Sequence, residues 1–152
     1  MTGEDGHVIL SSTCFQLGVA GSQITQSFSR RIEHVGLSHK QVGLLAVVDA
    51  GVATSQREIA TRLHVAPSLV VTLVDRLTST GAVRRTRSRN DRRVQTIEIT
   101  DEGRRLLKAA TDIASRLDAD LRTALSPDDQ QALDRLLPLL LHAAMATGQD
   151  EA

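Results

Sequence analysis

At 152 residues, 41% apolar but only 1% aromatic with no Trp or Tyr, the chain has room for one compact domain or a small domain with helical extensions. No second independent domain is expected, and a core restricted to Leu, Val, Ile and Ala favours helices. The formal charge is zero, yet Ser55 to Arg93 holds nine Lys and Arg against three Asp and Glu, so a charge-neutral middle is excluded as well and a basic centre with acidic ends suits a polyanion.

Cys14 is the only cysteine, which rules out an intramolecular disulfide and fits a reducing cytoplasm. Met1 to Val8 carries Glu4 and Asp5 and has no cationic start before a long apolar stretch, so no signal peptide is expected. The longest apolar run, Leu136 to Ala146, is broken by Pro138 and His142 and is too short to span a bilayer, so no membrane partner is expected.

In chain order, Ser11 to Val35 reads as a first amphipathic helix, with Phe15, Leu17, Val19, Ile24, Phe28 and Ile32 as its apolar positions and Gly36 as its stop. Ser38 with Gln41 three residues on forms a capping box for a second helix, whose buried stripe is Val42, Leu44, Leu45 and Val48 and which Gly51 ends. Ser55 with Glu58 opens a third helix in the same way, with Ile59, Ala60 and Leu63 facing inward. After a tight turn at His64, Ala66 to Thr80 is a fourth helix closed by Gly81; Val70, Leu73, Val74 and Leu77 share its inner face, and Ser68, Val71, Thr72, Asp75 and Arg76 point away. Beyond Gly81 the texture becomes alternating: Val83 in one strand and Val94, Ile97 and Ile99 in another flank the polar stretch Arg87 to Arg93, a two-stranded hairpin with a basic tip. A long helix, roughly Asp101 to Leu125, carries Leu106, Leu107, Ile113, Leu117 and Leu121, and Ser126-Pro127 starts a last helix that Pro138 should kink or break. Gly148 to Ala152 reads as a frayed tail.

Two short helices joined by a tight turn bury a small common core and leave the outer face of the second free for a major groove. Gln56 to Leu77 meets that description, but by itself it fits a plain helical hairpin equally well. The hairpin that follows decides between them. Arg84, Arg85, Arg87, Arg89, Arg92 and Arg93 crowd into ten residues opposed only by Asp91, where a bland surface would mix signs. A basic hairpin beside a recognition helix reaches a phosphate ridge or the adjacent minor groove, with Asp91 placed to steer Arg93. The candidate DNA-contacting residues are thus Ser55, Gln56 and Arg57; Pro67, Ser68, Leu69, Val71, Thr72 and Arg76; and Arg87, Arg89, Asp91, Arg92 and Arg93.

The run from Arg57 to Gly81, REIATRLHVAPSLVVTLVDRLTSTG, and that from Asn90 to Gly103, NDRRVQTIEITDEG, resemble the multiple antibiotic resistance regulator (MarR) family of bacterial winged-helix transcription factors; the similarity extends from about Leu37 to Leu141. The family's wing motif, Asp-x-Arg followed by alternating residues and Leu-Thr-x-x-Gly, falls without gaps on Asp91, Arg93, Ile99, Thr100 and Gly103. The resemblance implies a mainly α fold with a small two-stranded β wing: one unit over 1–152, with a winged helix-turn-helix at about 37–100 between dimerisation helices at about 8–35 and 101–147. It also implies a cytoplasmic homodimeric repressor that binds a pseudo-palindromic double-stranded operator, relieved by a small anionic or phenolic ligand or by oxidation. The family usually has polar residues where this chain has Leu69 and Val71, so base readout here is expected to lean on thymine-methyl contacts beside Ser68, Thr72 and Arg76. Leucines at 133, 136, 137, 139, 140 and 141 cover more than one helix face, for which a second chain is the natural cover.

Cys14, Phe15, Leu17 and Ala20 resemble the first helix of the organic-hydroperoxide sensors within that family, in which a reactive cysteine is the switch. Those sensors hold the thiolate with tyrosine hydroxyls, whereas by spacing this chain has Phe28 and His39; a histidine favours a thiolate, but Phe28 cannot donate a hydrogen bond. The alternatives to ligand-controlled repression are therefore thiol-based sensing through Cys14 and a winged-helix protein-interaction module that does not bind DNA. Glu33, His34 and His39 lack a further His or Cys at ligand spacing, so neither a metal nor a cofactor is expected. No nucleophile elbow, His-Glu-x-x-His or phosphate-binding Gly loop is present, so an enzyme is not expected.

Overall fold

The computed structural model describes residues 4–87 and 95–147. Its helices are α1 (Glu4–Ser11), α2 (Thr13–Ile32), α3 (His39–Asp49), α4 (Gln56–Leu63), α5 (Pro67–Ser79), α6 (Asp101–Arg122) and α7 (Pro127–Thr147), with strands β1 (Val83–Arg87) and β2 (Gln95–Ile99) between α5 and α6. The chain divides into two compact units, the first running to Ala114 and the second beginning at Ser115.

The N-terminal helix expected from Ser11 is two helices. Ser12 leaves helical geometry and its Oγ accepts the N–H of Phe15 at 3.3 Å, so it ends one helix and caps the next. A short 3-10 turn, Glu33–Val35, follows α2, and Gly36 in the left-handed region closes it.

Both capping boxes form. Ser38 Oγ accepts from Gln41 N while Gln41 Oε1 accepts from Ser38 N, and Ser55 and Glu58 repeat the exchange at the start of α4. His64 takes a left-handed φ of 50°, costly for most side chains but tolerated by His, and turns the chain from α4 to α5. Ala66 caps α5 with Pro67 in its first turn. Gly81, at φ 74°, lets Ala82 N donate to Leu77 O at 2.8 Å and sends the chain into β1.

The core of the first unit gathers one face from each element. Ile32 of α2, Leu44 and Leu45 of α3, Ile59 of α4, Val70, Val74 and Leu77 of α5, Val83 of β1 and Ile97 of β2 are fully buried together. Each such side chain contributes roughly 1.5–3 kcal/mol of transfer free energy, so α5 is held by its inner face and its outer face is free for other work.

The strands pair antiparallel, with Val83 opposite Ile99, Arg85 opposite Ile97 and Arg87 opposite Gln95. Directly opposed residues share a face, so Val83, Ile97 and Ile99 turn inward and Arg84, Thr86, Thr96 and Glu98 outward. The loop before α4 joins this sheet through one bond, Ile97 N donating to Thr54 O at 2.7 Å, which ties the hairpin to the start of the helix-turn-helix.

In the second unit, Arg122 donates to Asp118 one turn earlier and to Asp134 of α7, while Gln130 Nε2 donates to the carbonyls of Arg122 and Leu125. Ser126 caps α7, its Oγ accepting from Asp129 N at 3.2 Å. Helix α6 ends at Arg122, earlier than Leu125, and Leu121 is exposed. Helix α7 runs through Pro138 as one helix, so of the expected kink or break the break does not occur. No side chain of α7 is buried, and Leu139 and Leu141 are each 62% exposed. No described helix is long and apolar enough to cross a membrane, and Gly148 to Ala152 lies outside the described residues.

Candidate nucleic-acid interface

The helix-turn-helix is α4, the left-handed His64 and α5. With Val70, Leu73, Val74 and Leu77 buried, Pro67, Ser68, Val71, Thr72, Asp75 and Arg76 are exposed. Helical geometry sets Ser68, Thr72 and Arg76 in one row at four-residue intervals, with Val71 and Asp75 in the adjoining row. Thr72 Oγ1 donates to Ser68 O at 3.3 Å, which leaves its acceptor lone pairs outward. Leu69 departs from the expectation: it is half-buried and packs against the core, because it lies four residues before Leu73 and widens the inner stripe. Of the two apolar residues expected to touch DNA, Val71 is the one presented, 41% exposed.

At the head of α4, Ser55 and Gln56 are half-buried and Arg57 is exposed. Ser55 Oγ accepts from Glu58 N, and its side chain also bonds the Glu58 carboxylate. Glu58 Oε2 accepts from the backbone N–H groups of Ser55 and Thr54, and these bonds, Ser55 first, hold its carboxyl below the usual carboxylate range.

The wing is less uniformly cationic than its sequence suggests. Asp91 is not the only opposing acid: Arg84 donates from Nε and Nη2 to Glu98 directly across the hairpin, at 3.0 and 2.8 Å, and Arg85 donates to Asp75 of α5. Two of the arginines counted towards a polyanion are thus engaged within the fold. Glu98 lies opposite Arg84 only once the strand register is known, and Asp75 is ten residues away in another element, so neither pairing had a local signal in the sequence. Thr86 and Thr96 share a hydroxyl contact of 2.8 Å on the outer face, where a groove of about 500 Å³ runs between the hairpin and Thr54. Arg87 is exposed at the end of β1 and lines this groove. Arg89, Asp91, Arg92, Arg93 and Val94 lie outside the described residues.

Residues 35–94, from the turn after α2 into the wing, match the model of the MarR family. The chain is 31% identical over 103 residues to the HTH-type transcriptional regulator TtmR of Methylorubrum extorquens, a match covering 68% of this chain and 53% of the relative, so the chain spans about half of that relative's length. It is 24% identical over 140 residues to the HTH-type transcriptional regulator MgrA of Staphylococcus aureus, covering 91% of this chain and 94% of the other. Among solved structures, the transcriptional repressor CouR bound to a 23-mer DNA duplex superposes with a TM-score of 0.77 at 29% identity, over 93% of this chain and 97% of that one. CouR from Rhodococcus jostii RHA1 bound to p-coumaroyl-CoA gives 0.75 at 25% identity, over 85% and 91%. Over residues 35–94 the chain is thus similar to the MarR family.

Two residues of the MarR-like wing motif have a physical reason in this chain. Thr100 Oγ1 accepts from Gly103 N at 3.1 Å and caps α6, while donating to the carbonyls that end the α5–β1 turn. At Gly103 a Cβ would stand 2.1 Å from Ala82 O and 2.7 Å from Ile99 Cγ1, so only glycine lets α6 start against the root of the wing. The thiol constellation is dispersed within one chain. Cys14 is exposed near the start of α2, beside an apolar groove with Phe15, Gly18 and Val19. Phe28 packs edge-on against His39 with ring centroids 5.9 Å apart, and Phe28 lies 14 residues along α2 from Cys14, about 21 Å at the helical rise. Neither side chain is brought to Cys14 by its own chain.

Proposed function

We propose that this MarR-like protein is a cytoplasmic, homodimeric, sequence-specific repressor that sets α5 into the major groove of a pseudo-palindromic operator and its wing against the flanking backbone and minor groove. The observation that carries the reading is the division of α5 into a buried apolar face and an outward row of Ser68, Thr72 and Arg76 with Val71 beside it, next to the basic wing. The co-structure of CouR with duplex DNA supports it. Two apolar surfaces support the dimer: Val8, Ile9, Leu10, Phe15 and Val19 of α1 and α2 are exposed in the first unit, and Leu136, Leu139, Leu141 and Met145 of α7 in the second. A second copy is the cover that such surfaces call for.

We infer that the operator is released by a small phenolic or anionic molecule. CouR has been solved with p-coumaroyl-CoA, which is both, and this supports that class over oxidation. The dispersal of Cys14, Phe28 and His39 weighs against a thiol switch contained within one chain. The test of DNA binding is its salt dependence. A dimer that neutralises about six to eight phosphates should show a slope of log affinity against log salt of about −5 to −7, on DNA flanking the protein's own coding region. Negligible affinity even at low salt would leave the protein-interaction module as the better reading.

A further inference from the structure

One residue on the outer face of α5 is out of keeping with a polyanion partner. Asp75 is the only carboxylate on that helix, and it lies one turn beyond Val71 and Thr72, beside Arg76. A bare carboxylate there would repel phosphate wherever the helix docked. Arg85 answers it: Nη2 donates to Asp75 Oδ1 at 2.5 Å. Because Arg85 stands directly opposite the buried Ile97, its side chain leaves β1 on the inner face of the hairpin, and it is the less exposed partner, 31% against 58% for Asp75.

We propose that Arg85 is an internal counter-ion and not a phosphate ligand: it cancels the one carboxylate of the recognition helix, so that the outer face of α5 meets DNA without a negative charge. This rests on the DNA-binding reading above. The two partners are therefore unequal. Losing Arg85 uncovers a negative charge at the interface, whereas losing the charge of Asp75 uncovers only a cation, which DNA accepts.

The experiment compares wild type, Arg85→Met, Asp75→Asn and the double variant. Each is titrated with a duplex that the wild type selects from random sequence and with a shuffled duplex of the same length, across a salt series, with a thermal melt of each protein. Arg85→Met should weaken binding to both duplexes by about tenfold or more. Asp75→Asn alone should stay within about threefold of wild type, and the double variant should recover to the same range with an unchanged salt slope. A purely structural pair would give equal losses from the two single variants and no recovery, which overturns the proposal. So would a double variant as weak as Arg85→Met with a slope shallower by about 1, the mark of a lost phosphate contact. Loss on the selected duplex alone after Asp75→Asn would make Asp75 a base reader and overturn it as well. If the wild type binds neither duplex, the DNA-binding reading itself fails, and the inference with it.

Discussion

Gly103 shows how little room a single position in this fold leaves. Its missing Cβ lets α6 begin against the Ala82 carbonyl and the Ile99 side chain, so Gly103→Ala must push backbone apart. We expect it to lower stability by about 1–3 kcal/mol or more, read from the urea midpoint at constant m. Glu58 gives a pH dependence. Its carboxyl is held low by the N–H groups of Ser55 and Thr54, so the folded pKa lies below the unfolded one. That contribution is fully present above the unfolded value and is lost as pH falls through the folded value. Glu58→Gln should therefore flatten the acid limb of the stability profile, measured by thermal melts from neutral pH downward. These capping residues were legible because the chemistry is local: Ser38 with Gln41 and Ser55 with Glu58 need only three-residue spacing to find each other. Asp75 and Arg85 were not legible as a pair, since they meet only after the hairpin has folded back on α5.

At the scale of elements, the recognition helix was readable from its apolar period, and the wing from its alternation and its arginines. What periodicity misjudged were positions at the edge of a stripe: Leu69 turns to the core and Leu121 turns out. It also read through Ser12, where two adjacent serines could either continue or cap a helix and the hydroxyl's bond to Phe15 N settles which. The role of the wing leads to a prediction on Arg93. Arg93→Ala should weaken operator binding by about tenfold or more without moving the thermal midpoint, by fluorescence anisotropy and calorimetry; unchanged affinity would remove the wing from the interface. Arg84→Ala, which breaks a pair internal to the hairpin, should cost less.

For the molecule as a whole, the net charge of zero conceals a basic centre, and the apolar surfaces left open by one chain call for another. Replacing Leu139 and Leu141 together by Glu should yield a monomer in sedimentation velocity and lower operator affinity by about a hundredfold or more, because two half-sites are then no longer engaged at once. Retained dimers would remove α7 from the interface. The central claim, a dimer reading two half-sites through α5, is tested most directly by selecting bound duplexes from random sequence and footprinting the winner. The expected winner is an inverted repeat with half-sites centred about one helical turn apart, roughly 10–10.5 base pairs. Selection of no sequence, or of a single site without symmetry, would contradict it.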